Sequence, residues 1–207
     1  MRQFIFKSSH LLLGLFLLIA VASCSSDDNG SGSFSGGNSF SMKIDGNHWS
    51  SSINTLFTED MNNANGEYYF VTIGGVITDE SDDPTTESLQ IYLSIPASKL
   101  NNPKGIYQVN SDADMSIGQA SATFTSSNSE NYLLYTSTPH TLGTLEITGF
   151  ELGEQTVMGH PTGQMGYTQL KGTFNMELAS VSDPSVVLSI TDGQFNLSSG
   201  LGFDFKN

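Results

Sequence analysis

The sequence predicts an all-β protein: a single antiparallel β-sandwich, or a partly closed barrel, of roughly eight to ten short strands, set behind an N-terminal address and a flexible tether. Three observations predict it. Apolar residues recur at every second position in most runs after residue 39. Turn-forming pairs punctuate those runs. No window of a dozen residues beyond the N-terminal segment carries a 3.6-residue period, and a sandwich fits the spacing better than a barrel.

The first segment reads as an address. Residues 1–10 hold Arg2 and Lys7 and no acid. Leu11–Ser23 is an unbroken run of apolar and small residues. As a helix it spans about 20 Å, short of the roughly 30 Å hydrocarbon core, so residues 1–23 read as a cleaved signal peptide rather than a membrane span. Val21-Ala22-Ser23-Cys24 resembles the bacterial lipobox. The resemblance implies cleavage before Cys24, diacylation of its sulfur and acylation of its new amine. Cys24 is the single cysteine of the chain. Two or more acyl chains anchor stably where one does not.

Ser25, Ser26, Asp27 and Asp28 follow. They resemble the acidic export signal of Bacteroidetes lipoproteins sent to the outer leaflet of the outer membrane. The resemblance implies a protein anchored in the outer membrane through Cys24 and facing the cell exterior. Residues 24–39 are the lipidated Cys and a Ser/Gly/Asp-rich tether, which cannot bury enough to fold and holds the domain about 20 Å from its anchor. Residues 40–207 are the all-β domain.

Charge narrows the partners. The whole chain has a formal net charge of −14. After residue 23 the cations are Lys43, Lys99, Lys104, Lys171 and Lys206, facing all 21 acids. A nucleic-acid partner is excluded on this balance. One cysteine excludes a disulfide framework and a zinc site built from several thiolates.

The strands come in order. Phe40, Met42 and Ile44 alternate with Ser41, Lys43 and Asp45. Tyr68–Ile77 is apolar on both faces at first, as a central strand would be. Leu89, Ile91, Leu93 and Ile95 alternate with Gln90, Tyr92 and Ser94. In Leu145, Ile147, Phe150 and Leu152 the phase slips at Gly149, which predicts a bulge. Leu170, Phe174, Met176 and Leu178 alternate with Lys171, Thr173, Asn175 and Glu177, and Val186, Leu188 and Ile190 follow suit. Asp45-Gly46, Asn65-Gly66, Asn101-Asn102-Pro103, Asp183-Pro184 and Asp192-Gly193 read as turns. A short helical turn fits near Thr58–Asn63 or Ala97–Leu100.

Three stretches together resemble a known family. They are Met42-Lys43-Ile44-Asp45-Gly46-Asn47-His48-Trp49-Ser50; Leu89–Pro96 followed by Gly105-Ile106-Tyr107; and a C-terminal block of Gly143–Thr148, Leu170–Met176 and Ile190–Phe195. In this order they resemble a family of Bacteroidetes lipoproteins, the DUF6252-like group. The resemblance covers roughly residues 40–197. It implies an all-β fold and an envelope location, and brings no activity or catalytic residue. Residues 153–169 and 110–131 read as long polar inserts that depart from the family pattern.

Candidate chemistry is sparse. G-x-S-x-G, G-x-G-x-x-G, P-loop and H-E-x-x-H signatures are absent. His48 reads as packing at a strand start, and His140 and His160 as loop residues. No catalytic residue and no cofactor are assigned. Hard cations need several converging oxygens, so calcium is the ion to consider at Asp79–Asp83 or at Asp112 and Asp114; a solvated acidic loop is the plainer reading of both. Sugar-binding sandwiches stack ligands on exposed aromatics, which makes Tyr92, Tyr167 and His160 the candidate ligand contacts. Three functions follow: a non-enzymatic binding or interaction module taking an extracellular glycan or protein, a glycan-binding accessory protein of a nutrient-uptake system, and a hydrolase with an unrecognised site.

The lipobox reading has a direct check. Cys24→Ser is expected to abolish labelling by a fatty-acid probe and to move the protein out of the membrane fraction. Continued labelling and sedimentation would overturn it.

Overall fold

The computed structural model describes residues 38–63, 66–110, 116–157 and 160–201. The signal segment, Cys24, Ser25–Asp28 and the Asp112/Asp114 cluster lie outside the described residues. Strands run in the order β1 (Ser39–Ile44), β2 (Asn47–Ser50), β3 (Ile53–Asn63), β4 (Gly66–Thr78), β5 (Thr86–Pro96), β6 (Gly105–Gln108), β7 (Ala120–Ser127), β8 (Tyr132–Thr136), β9 (Gly143–Val157), β10 (His160–Ser180), β11 (Val187–Ser198) and β12 (Gly200–Leu201). One turn of 3₁₀ helix, Ala97–Lys99, follows β5.

These strands form one antiparallel sheet ordered β12-β3-β4-β5-β7-β8-β10-β11-β1-β2, with β9 on the other side of β10 and β6 on β9. The sheet is not closed into a barrel. It folds over between β8 and β10, which share only the pairs Thr136–Ala179 and Tyr135–Ser180. Its halves, β3-β4-β5-β7-β8 and β6-β9-β10-β11-β1-β2, then pack on a common core as a sandwich, with β10 against β3 and β1 against β4.

The core follows the period-two pattern. Phe40, Met42, Leu89, Ile91, Leu93, Ile95, Leu145, Ile147, Leu170, Phe174, Met176 and Leu178 are all buried. Phe174 packs its ring 5.2 Å from Phe40 and 6.4 Å from Phe195. β4 lies between β3 and β5, in the interior of its layer, as its two-faced apolar content requires. The Gly149 bulge is present: Lys171 pairs with Gly149 and Gly172 with Ile147, leaving Thr148 as the extra residue.

The far edge of β3 is completed by a side chain. β12 pairs only with Thr55 and Leu56. Two residues on, the backbone of Thr58 meets the fully buried Gln155 of β9. Its N–H donates to Gln155 Oε1 and its carbonyl accepts from Gln155 Nε2, both at 2.8 Å. The amide stands in for the missing strand neighbour. Gly166 permits this approach, because a Cβ there would lie 2.6 Å from the Gln155 amide and 2.8 Å from the Thr58 Cβ.

Four expectations are corrected. Among the described residues twelve strands are formed, where roughly eight to ten short ones were expected, and several are long. Thr58–Asn63 is strand, not helical turn, since it pairs with Gly66–Val71; the turn at Ala97–Lys99 is where it was expected. The polar stretches 110–131 and 153–169 contain β7 and the β9–β10 hairpin. Small inward residues (Ala120, Ala122) mask the alternation in β7, and residues 160–165 are exposed on both faces. Asp192-Gly193 is not a turn but a bulge inside β11: Phe174 pairs with Gly193 and Met176 with Ile190. Asp192 takes a φ of 52°, accepts an ion pair from Lys43 at 2.8 Å and donates its N–H to Asn175 Oδ1 at 2.9 Å. Asp tolerates the left-handed region, and the pair raises the Lys43 pKa above its ordinary value.

Phe174→Ala is expected to destabilise the domain by about 3–5 kcal/mol. Asn175→Ala, exposed but capping the bulge, should lose no more than about 1 kcal/mol. Urea denaturation followed by the emission of the single tryptophan tests both; the reverse order would mean the strand is out of phase.

Candidate functional site

Two surfaces concentrate the polar and aromatic groups. The first is a groove of about 460 Å³ at one end of the sandwich, lined by His48, Trp49 and Ser50 of β2, Ile77 and Asp79 at the end of β4, and Thr85 and Glu87 at the start of β5. Trp49 builds its floor. Its ring is buried edge-on to Phe40 at 6.2 Å, and its indole N–H donates to Glu87 Oε2 at 2.9 Å across the two layers. Glu87 Oε1 accepts a longer bond of 3.4 Å from the Ser126 hydroxyl. His48 is exposed on the groove wall rather than packed.

Two carboxylates of the acidic loop beside the groove hold local structure. Asp79 Oδ1 accepts the Ser81 hydroxyl at 2.6 Å and the N–H groups of Thr85 and Ser81 at 3.1 and 3.2 Å. The Ser81 hydroxyl above all, then the two amides, hold its carboxyl below the usual range. Asp83 Oδ1 accepts the Ser129 N–H and ties this loop to the β7–β8 turn. Among the described residues no group of three His, Cys, Asp or Glu side chains is placed to hold a metal ion.

The second surface is the outward face of β3, β4 and β5. Tyr92 lies there, as its phase predicts, with its ring stacked on Phe70 of β4 at 5.7 Å and 20°. Thr72, next to Phe70 on the same face of β4, faces Phe57 on one side and Tyr92 on the other. One row further, Gly74 is flanked by Thr55 and Gln90. The Gln90 amide lies across Gly74, 2.4 Å from where a Cβ would stand, so only glycine lets it lie flat. Thr123 continues the row on β7. Phe57, Phe70, Gln90 and Tyr92 are all half-buried, with the remainder open to solvent.

Tyr167 is corrected. It is wholly buried, edge-on to Phe150 at 6.1 Å, and its hydroxyl donates to the Leu100 carbonyl at 3.0 Å. Burial, with smaller contributions from Tyr107 and Tyr69, pushes its pKa well above the ordinary phenol value. It is a core residue and presents no face to a ligand. His160 is exposed at the start of β10, paired with Val157 in the β9–β10 hairpin. Tyr92, Tyr167 and His160 therefore occupy three separate settings. The sequence did not single out Phe57, Gln90 or the Trp49–Glu87 pair. The first two were legible as outward-phase neighbours of Tyr92 once the register was known; the pair joins positions 38 apart and leaves no local trace.

No family model matches the chain, and neither a curated protein nor a solved structure matches it. Among the described residues no helix is long and apolar enough to cross a membrane.

The Trp49–Glu87 bond is measurable. Glu87→Ala leaves the indole N–H without its acceptor and should lose about 1–3 kcal/mol of stability, with a red shift of Trp49 emission. In a Trp49→Phe background the same change should lose less than half as much, read by circular dichroism; equal losses would mean that the two do not interact.

Proposed function

We propose that the chain is a lipid-anchored lipoprotein of the outer membrane whose all-β domain faces the cell exterior as a non-enzymatic binding module. The anchoring rests on Val21–Cys24 and Ser25–Asp28, and the envelope address agrees with the resemblance to Bacteroidetes lipoproteins. A glycan is the ligand class favoured at the outward face of β3, β4 and β5. One observation carries this: the Phe70–Tyr92 ring stack lies beside a flat amide, Gln90 on Gly74, with Thr55, Thr72 and Thr123 around them. Sugar rings offer apolar C–H faces to aromatic rings and hydroxyls to amides, which both donate and accept. The acidic balance of the chain disfavours phosphate-rich ligands.

A glycan array probed with the full-length protein tests the reading. Binding to neutral polysaccharide is expected, weakened about ten-fold or more by Tyr92→Ala and by Gln90→Ala. Binding indifferent to both changes would remove this face from the function, and an empty array would remove the glycan; the anchor stands or falls separately on Cys24 labelling.

A further inference from the structure

An apolar patch lies on the outward side of the sheet where its two halves join, between β8 and β10. Val187 of β11 pairs with Ala179 of β10, and Ala179 pairs on its other side with Thr136 of β8. The Val181 N–H donates to the Leu134 carbonyl, and the Glu177 N–H to the Leu142 carbonyl, both at 2.9 Å. Leu142, Val181 and Val187 are thereby held around one stretch of β10, with Tyr132 at the start of the adjoining β8. Their exposures are 77%, 55%, 46% and 65%, while Ala179 among them is 6% exposed. Large open side chains around a small covered one form a shallow apolar dish. Exposed apolar side chains gathered in this way by strand pairing mark an interaction site.

Its rim is anionic. Glu130 precedes Tyr132, Asp183 stands between Val181 and Val187, and Glu177 lies against Leu142; all three are exposed. The Ser185 hydroxyl, then its N–H, hold the Asp183 carboxyl below the usual range, so that charge persists. The described lysines are elsewhere. Lys43 pairs with Asp192, Lys99 lies over Tyr107, Lys104 precedes β6, and Lys171 is in register with Asn196 and Gly149. A second copy would bring the same anionic rim, and the net charge of −14 opposes that approach. An anionic lipid surface is repelled likewise. The patch also lies far from the start of β1: Ser39 pairs with Asn196, nine residues along β11 from Val187, about 30 Å of strand.

We propose that this patch docks a protein segment carrying two or three apolar side chains flanked by lysine or arginine. The apolar residues fill the dish around Ala179, and the flanking cations meet Glu130, Glu177 and Asp183. A random 12-residue peptide library displayed on phage, selected on the full-length protein, tests it. Enriched peptides should combine apolar pairs with flanking Lys or Arg. A synthetic peptide from that set should bind about ten-fold or more weakly to Val181→Asp/Val187→Asp, and also to Glu177→Lys/Asp183→Lys, whose apolar residues are intact. All four positions are exposed, so both variants should keep a single cooperative thermal transition, with only a small drop in midpoint where Asp183→Lys removes the bonds from Ser185. Peptides without cations, or binding equal to wild type in either variant, would overturn the proposal. So would a wild-type dimer in sedimentation velocity that Val187→Asp dissolves, which would assign the patch to a second copy, or flotation of the Cys24→Ser chain with phosphatidylcholine vesicles that Val187→Asp abolishes, which would assign it to lipid.

Discussion

One buried amide decides whether the sandwich is sealed. β12 reaches only Thr55 and Leu56, and the next outward-pointing backbone groups of β3, at Thr58, would otherwise stand unpaired beside the core. Gln155 meets both at 2.8 Å, and the Tyr167 N–H bonds the Thr58 hydroxyl at 3.3 Å. An unpaired buried amide or carbonyl costs about 1–3 kcal/mol, against a total stability of about 5–15 kcal/mol for a domain. The β9–β10 hairpin is therefore more than an ornament on the sheet. Its polar residues close the side of the sandwich that the ladder leaves open, and Tyr167 can be buried only because that side is closed.

Fold class was legible in the sequence because the pleat has a fixed period. Leu89–Ile95 and Leu170–Leu178 show it openly, and each has one buried face in the structure. The pattern failed where inward residues are small, as at Ala120 and Ala122, or where polar residues face inward, as at Gln155. Asp192-Gly193 looked like a hairpin turn because the same residues that favour hairpin turns also tolerate a bulge. What separates the two is the partner strand: Asn175 and Lys43, both remote in sequence, fix Asp192 inside β11.

Surface features were legible only by phase. Tyr92 belongs to the outward phase of β5, and that assignment holds. Tyr167 misled because it follows a glycine-rich polar stretch, the usual setting of an exposed loop aromatic; its burial comes from a seam formed with β3 more than a hundred residues earlier. The apolar dish on β10 was illegible for a related reason. Tyr132, Leu142, Val181 and Val187 are scattered singly through the sequence, and only the pairing of β8, β10 and β11 gathers them.

The position of β1 has a consequence for how the molecule is made. Its ladder partners are β2, next in sequence, and β11, some 150 residues later. A ribosome releases β1 some 150 residues before β11. Until then Phe40 lacks both Phe195, its partner in register, and Phe174, whose ring packs 5.2 Å from its own. A polypeptide stopped before residue 187 would keep β3, β4, β5 and β7, which pair among themselves, but leave the β1–β2 hairpin with an unsatisfied edge. Two-stranded hairpins are marginal in water, and open edges invite pairing with other chains. Late closure between β1 and β11 thus makes nascent forms, and forms truncated before β11, the ones most exposed to aggregation, and it makes an intact β11 the condition for a settled β1.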